Sequence, residues 1–229
     1  MLTEVRAIAF DLDNTLWDVE PVLAAAEARL GDWLARNCPR IAQNLSSEDM
    51  RRAREQLAQR EPERAHDVSY LRLTALEAHA REHGYHPQLA TEAFAVFLAA
   101  RNEVQVFADV APALRRLRAR YALATLSNGN ADLERIGLQH VFSVSLNARQ
   151  IGAGKPERRC FERLAEDLGL DAAAILYVGD DPLLDVAAAR GAGCRSAWMN
   201  RRARAWPHAL PPPDLTIADC TQLAAALGA

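Results

Sequence analysis

With 229 residues, half of them apolar, the chain is long enough to bury a sizeable core and too apolar to be disordered. Its 27 basic and 30 acidic side chains leave a net charge of −3, which forces no basic surface and argues against nucleic acid as a partner. Cys38, Cys160, Cys194 and Cys220 stand too far apart for a zinc ribbon and suit a reducing, cytoplasmic compartment.

The opening MLTEVRAIAFDLDNT does not read as a signal peptide, and no apolar run approaches the ~18 residues of a membrane span. Residues 5–10 form a short apolar run that stops at a group of carboxylates, as a strand buried on both faces would. Residues 19–104 then read as helix only. Leu23, Ala26, Leu30, Trp33 and Leu34 share one face, and Ser47 with Glu48 and Asp49 starts a second helix that runs through Arg60. Val68, Leu71, Ala75 and Leu76 form a third stripe that ends near Gly84, and Phe94, Phe97 and Leu98 a fourth. Four such helices suit a small bundle. From residue 105 the pattern alternates. Strands are predicted at 121–126, 142–146, 174–178, 194–199 and 215–217, with helices around Leu114, Leu164 and 185–190. The expectation is an α/β fold: a doubly wound, Rossmann-like parallel sheet built from 1–18 and 105–229, with a helical bundle inserted over 19–104.

Chemistry-bearing residues fall at the strand ends. FDLDNTLWD places Asp11 and Asp13 just past the first strand; Leu126-Ser127-Asn128-Gly129 ends the second; Gly179-Asp180-Asp181 ends another, with Asp185 one turn on; Lys155 lies in Gly154-Lys155-Pro156, where Pro156 can open a helix. Carboxylates, one hydroxyl and one lysine make sense around a phosphate monoester. Each carboxylate–phosphate pair at about 4 Å costs roughly 4 kcal/mol at an effective dielectric near 20. A divalent cation held by Asp11, Asp180 and the substrate removes that repulsion, and oxygen-only ligands favour magnesium over zinc. Gly154-Lys155 is not a nucleotide-binding loop, since Arg149 and Pro156 stand where that loop needs glycine and Ser or Thr.

These segments resemble, in order, the four motifs of the haloacid dehalogenase superfamily, and the insert resembles its type 1 helical cap. The resemblance implies that Asp11 is the nucleophile and forms an aspartyl phosphate, and that Asp13 is the general acid and base. It implies that Asp11, the Asp13 main-chain carbonyl and Asp180 hold magnesium, with Asp185 orienting that shell and the role of Asp181 open. Ser127, the Asn128 amide and Lys155 then bind the phosphoryl oxygens, and Thr15 lies close enough to position Asp13. An acid at Asp13 favours phosphoryl transfer over dehalogenation, because a halide leaves without a proton. The stretch 10–16, the segment 61–72 with His-Asp-Val, and 127–130 resemble the bacterial flavin mononucleotide phosphatase branch. That branch is implied to act on flavin mononucleotide or 5-amino-6-(5-phosphoribitylamino)uracil in riboflavin biosynthesis.

Such substrates call for a stacking surface and distal polar groups. Trp17 is the candidate for the first, as an alternative to hinge packing. His66, Asp67 and Arg72 are candidates for the second, with Asp67 as a plain helix cap the alternative. His79, His83 and His86, and the runs 115–120 and 201–204, read as solvated faces rather than zinc or nucleic-acid sites. The rival readings are a phosphoglycolate or nucleoside monophosphate phosphatase, a phosphosugar mutase, and a catalytically idle binding protein. The protein is expected as a monomer or homodimer, with no membrane partner.

Overall fold

A computed structural model describes residues 4–229. The chain divides into two compact units. One runs to Asp18 and resumes as Gln105–Ala229; the other is Val19–Val104.

The first unit holds a six-stranded sheet, every neighbouring pair of which is parallel. Its strands are β1 (Ala7–Phe10), β2 (Ala122–Ser127), β3 (Val144–Asn147), β4 (Ile175–Gly179), β5 (Arg195–Met199) and β6 (Leu215–Ile217), in the order β3-β2-β1-β4-β5-β6. All six predicted strands form. Central β1 and β4 are buried along their whole length, because a parallel sheet covered on both faces leaves no solvent side to alternate toward. Strand order reverses between β1, which pairs with β2 on one side, and β4 on the other. Side chains at the carboxyl ends of these three strands therefore meet at a topological switch point, where open α/β sheets bind ligands. One face packs Ala7, Ala9, Leu126, Phe161, Leu164 and Tyr177 into a single core.

The second unit contains α1 (Val19–Asn37), α2 (Pro39–Asn44), α3 (Ser47–Arg60), α4 (Val68–Glu82) and α5 (Gln88–Arg101). The short α2, which opens on Pro39, was not among the four helices expected; six residues carry too little periodicity to stand out. The buried face of α1 is Val22, Ala26, Leu30 and Leu34, whereas Leu23 is exposed. The cap of α3 is Ser46, one residue earlier than expected, in a reciprocal capping box with Asp49. Ala26, Leu30, Leu76, Ala93 and Phe97 form this unit's own core. Among the described residues no helix is long and apolar enough to cross a membrane.

Candidate active site

The first motif leaves β1 through a tight turn. Leu16 and Thr15 donate to the Leu12 carbonyl at 2.8 and 3.2 Å, and Asn14 N–H to the Trp17 carbonyl at 2.7 Å. Asn14 takes a left-handed φ of 60°, which asparagine tolerates better than most residues. The outgoing and returning chains pair through an antiparallel Trp17–Val106 bridge, with Phe107 N–H on the Leu16 carbonyl.

Asp11 is buried at the end of β1, and Lys155 reaches it from the β3–β4 crossover. Lys155 Nζ donates to Asp11 Oδ1 and to Asp185 Oδ1, both at 2.6 Å, and to the Tyr177 hydroxyl at 2.9 Å. Tyr177 in turn donates to the Leu126 carbonyl at 2.7 Å. The lysine loop is set by Asn128, whose amide oxygen accepts from Lys155 N–H at 2.7 Å while its Nδ2 donates to the Lys155 carbonyl at 2.9 Å. The Lys155–Pro156 peptide is cis, and the following helix starts at Arg158 rather than at Pro156. Ser127, buried at the end of β2, accepts the Gly129 N–H on its hydroxyl oxygen at 3.0 Å, which leaves its proton free to donate elsewhere.

Gly179 and Asp181 place the third carboxylate. A Cβ on Gly179 would stand 2.3 Å from the Asp185 carboxyl carbon, so glycine is needed for Asp185 to lie against the end of β4. Asp181, whose role the sequence left open, caps the following helical turn by accepting from Leu183 and Leu184 N–H, both at 2.8 Å. Its own N–H donates to Asp185 Oδ2 at 2.9 Å.

Asp11, Asp180 and Asp185 thus bring one carboxylate oxygen each within 4.8 Å of one another. Burial, with the charge of Asp185, pushes the Asp11 carboxyl well above the usual carboxylate range against the pull of Lys155. The same two causes push Asp180 up to about 6. Burial works against the charge of Lys155, but Asp11 and Asp185 outweigh it and hold the ammonium on. Three carboxylates against Lys155 and the half-exposed Arg204, 3.3 Å from Asp180, still leave negative charge in excess. An oxygen-only donor set with that excess fits a hard divalent cation and offers nothing for a thiophilic one.

Asp13 stands beside this cluster. The expected partner Thr15 is fully buried, but its hydroxyl finds no hydrogen bond among the described residues. Trp17 holds Asp13 instead, donating its indole N–H to Oδ1 at 2.8 Å.

Residues 5–193 match the family model for haloacid dehalogenase-like hydrolases. The chain belongs to that family. It is 30% identical over 202 residues to 5-amino-6-(5-phospho-D-ribitylamino)uracil phosphatase YigB of Escherichia coli (strain K12), covering 86% of this chain and 84% of that one. Among solved structures it resembles the 2-haloacid dehalogenase of Pseudomonas syringae pv. Tomato DC3000, at 37% identity and a TM-score of 0.92 over 98% and 100% of the two chains. It also resembles the HAD phosphatase of Thermococcus onnurineus, at 25% identity and a TM-score of 0.72 over 98% of each.

Within this haloacid dehalogenase-like hydrolase, several expected substrate contacts have other duties. Trp17 is fully buried around the bond to Asp13, so it has no open face on which a ring could stack. Arg72 is buried too, donating to Glu27 at 2.8 Å with its guanidinium 3.5 Å from the Phe97 ring centre. A charge that far from solvent needs its partner. Asp67 caps α4 by accepting from Tyr70 N–H at 2.9 Å; His66 is half-buried. His79 is buried rather than on a solvated face, while His83 Nδ1 lies 2.9 Å from the His79 carbonyl.

The run 201–204 is not plain solvated surface either. Arg201 pairs through both terminal nitrogens with Asp109, at 3.1 and 2.8 Å, and donates Nε to the Thr15 carbonyl at 2.9 Å. Arg204 lies against Asp180. Sequence reasoning missed Tyr177, Arg201 and Arg204. The only signal for Tyr177 was a phenol in an otherwise aliphatic strand, whose hydroxyl must find a partner once buried.

Proposed function

We propose that this hydrolase is a magnesium-dependent phosphatase acting on a small-molecule phosphate monoester. The observation that carries this reading is a second aspartate, Asp13, held by Trp17 two residues beyond the buried Asp11 of the three-carboxylate cluster. An alkoxide leaving group needs a proton at the moment it departs and a halide does not, so an acid fixed there serves phosphoryl transfer.

In this mechanism Asp11 attacks phosphorus in line and the P–O bond to the leaving group breaks. Asp13 gives its proton to the departing oxygen, then takes one from the water that hydrolyses the aspartyl phosphate and regenerates Asp11. Lys155, the Ser127 hydroxyl and the Asn128 N–H bind the phosphoryl oxygens as charge builds on them. Asp11, Asp180 and the main-chain carbonyl of Asp13 would hold magnesium, oriented from behind by Asp185; bound there, it supplies charge neutralisation between carboxylates and phosphate. The four free, buried cysteines suit a cytoplasmic setting.

For the substrate we propose a heterocycle on a phosphorylated polyol chain, flavin mononucleotide or 5-amino-6-(5-phosphoribitylamino)uracil. The relative named for the second compound, similar over most of both chains, supports this. With Trp17 buried, recognition of the ring falls to other residues. A second reading, hydrolysis of a 2-haloacid, is favoured by the likeness to the Pseudomonas syringae protein; Asp13 argues against it.

Phosphate release, assayed with magnesium, tests the proposal over flavin mononucleotide, the ribitylaminouracil phosphate, phosphoglycolate and nucleoside monophosphates, beside halide release from 2-chloropropionate. Phosphate from the first two and no halide is expected. A tenfold preference for phosphoglycolate or a nucleotide, about 1.4 kcal/mol of transition-state discrimination, would overturn the substrate assignment. Halide release without phosphate release would overturn the reaction class. Asp13→Asn should slow phosphate release by about 100- to 10,000-fold.

A further inference from the structure

The three clustered carboxylates are not held alike. Asp11 and Asp185 are both fixed by Lys155, and Asp185 also by the Asp181 N–H. Among the described residues, the hydrogen bond to the Asp180 carboxylate comes from Arg204, whose Nη2 stands 3.3 Å from Oδ2. The same nitrogen donates to the Asp180 main-chain oxygen at 2.9 Å, and the Trp198 indole N–H donates to that oxygen at 2.9 Å as well. The main chain of Asp180 is therefore held twice and its side chain once.

Arg204 is itself well placed to do this. The Asn200 side chain clasps its backbone in both directions, accepting from Arg204 N–H at 2.8 Å and donating to its carbonyl at 2.9 Å. Arg204 and Asp180 together line a cavity of about 220 Å³, and Arg202 lines it too.

We infer that Arg204 is a positioning residue for the cation-binding carboxylate of Asp180: by clasping Oδ2 it holds the group in one orientation and leaves the other oxygen for the ion. This rests on the cation reading of the site proposed above. Two effects oppose one another. The guanidinium charge repels a divalent ion, while the hydrogen bond preorganises its ligand. The Arg204 side chain is 49% exposed, against 19% for Asp180. Solvent therefore screens the repulsion, while the geometric constraint on the sheltered carboxylate remains. Groups that orient a metal ligand are typically worth 10- to 100-fold in affinity.

The test is calorimetric titration of the full chain with magnesium alone, without substrate, so that turnover plays no part. Arg204→Ala should bind magnesium about tenfold more weakly than the unaltered protein. Arg204→Met, which keeps the apolar stem, should do the same if the alanine variant melts early. Arg204→Lys should restore most of the affinity, since both contacts come from a single nitrogen, and Arg202→Ala on the same cavity should change nothing. Equal or tighter binding by the Ala and Met variants, with normal binding by the unaltered protein, overturns this inference alone. Absence of magnesium binding by the unaltered protein overturns the cation reading and this inference together.

Discussion

Each unit buries a cluster of charges, and the two are built in opposite ways. In the sheet unit Lys155 lies between Asp11 and Asp185 with side chains 3%, 10% and 2% exposed; Asp180 stands beside them, so negative charge is in excess. In the helical unit Glu27 lies between Arg54, at 3.3 Å, and Arg72, at 2.8 Å, so positive charge is in excess. In the sheet cluster all three protons of the central lysine are taken, by Asp11, Asp185 and the Tyr177 hydroxyl, which itself donates to the Leu126 carbonyl. Among the described residues, the helical cluster leaves Glu27 Oε2 and Arg72 Nη1 without a partner. A fully bonded lysine fixes the carboxylates around it, as a preorganised reaction centre needs. A partly bonded cluster, with desolvation charged against it, suits a structural tie between helices better than a reaction centre.

The sharpest way to break this contrast is to remove the proposed nucleophile. Asp11→Asn should lower turnover by several orders of magnitude while far-ultraviolet circular dichroism stays unchanged. Retained turnover would show that the sheet cluster is structural as well.

The opposite pattern is expected in the helical cluster. Arg72→Ala should cost about 2–4 kcal/mol in denaturant unfolding, because it leaves Glu27 with one weaker partner. Efficiency per folded molecule should stay within about twofold, well under the 1.4 kcal/mol of a tenfold change. A large loss of efficiency at unchanged stability would instead restore Arg72 as a substrate contact.

Trp17→Phe sharpens the reading of the first motif. It keeps most of the ring packing and loses the N–H on Asp13, so kcat should fall about tenfold with KM little changed, a loss near 1.4 kcal/mol. A rise in KM confined to flat-ring substrates would point back to stacking.

The smallest effect is expected at Asp109, away from both clusters. Burial would raise its pKa, but the hydrogen bond from Arg201 and that from Cys220 N–H outweigh it and hold the carboxyl below its ordinary 3.8. A group depressed on folding contributes stability that is complete above 3.8 and is lost as pH falls through the folded value. Asp109→Asn should therefore cost about 1 kcal/mol near neutral pH, and the difference from the unaltered protein should shrink below pH 3.8. Unfolding at several pH values checks it.

The strands and the polar residues that gather at their ends were legible in the sequence because their physics is local. A strand buried on both faces must be a run of apolar residues, as ILYVG is. Chemistry at a switch point must come from the residues that end such runs, which is where Asp11, Ser127 and Asp180 stand. Gly179 also belongs to this class, since a close approach needs glycine whatever approaches. The partners were not legible. Thr15 and Trp17 are equally plausible neighbours of Asp13 along the chain, and only the turn through the left-handed Asn14 gives the bond to the indole. Arg201 and Arg204 look like surface charge because nothing local says that a segment 186 residues away closes on the Thr15 carbonyl, or that Asp180 lies under Arg204. The sequence by itself determined the strands, the longer helices and which polar groups stand at the strand ends, through periodicity and side-chain chemistry. Only the tertiary structure decided what holds those groups in place, because hydrogen-bond partners distant in the chain are chosen by packing.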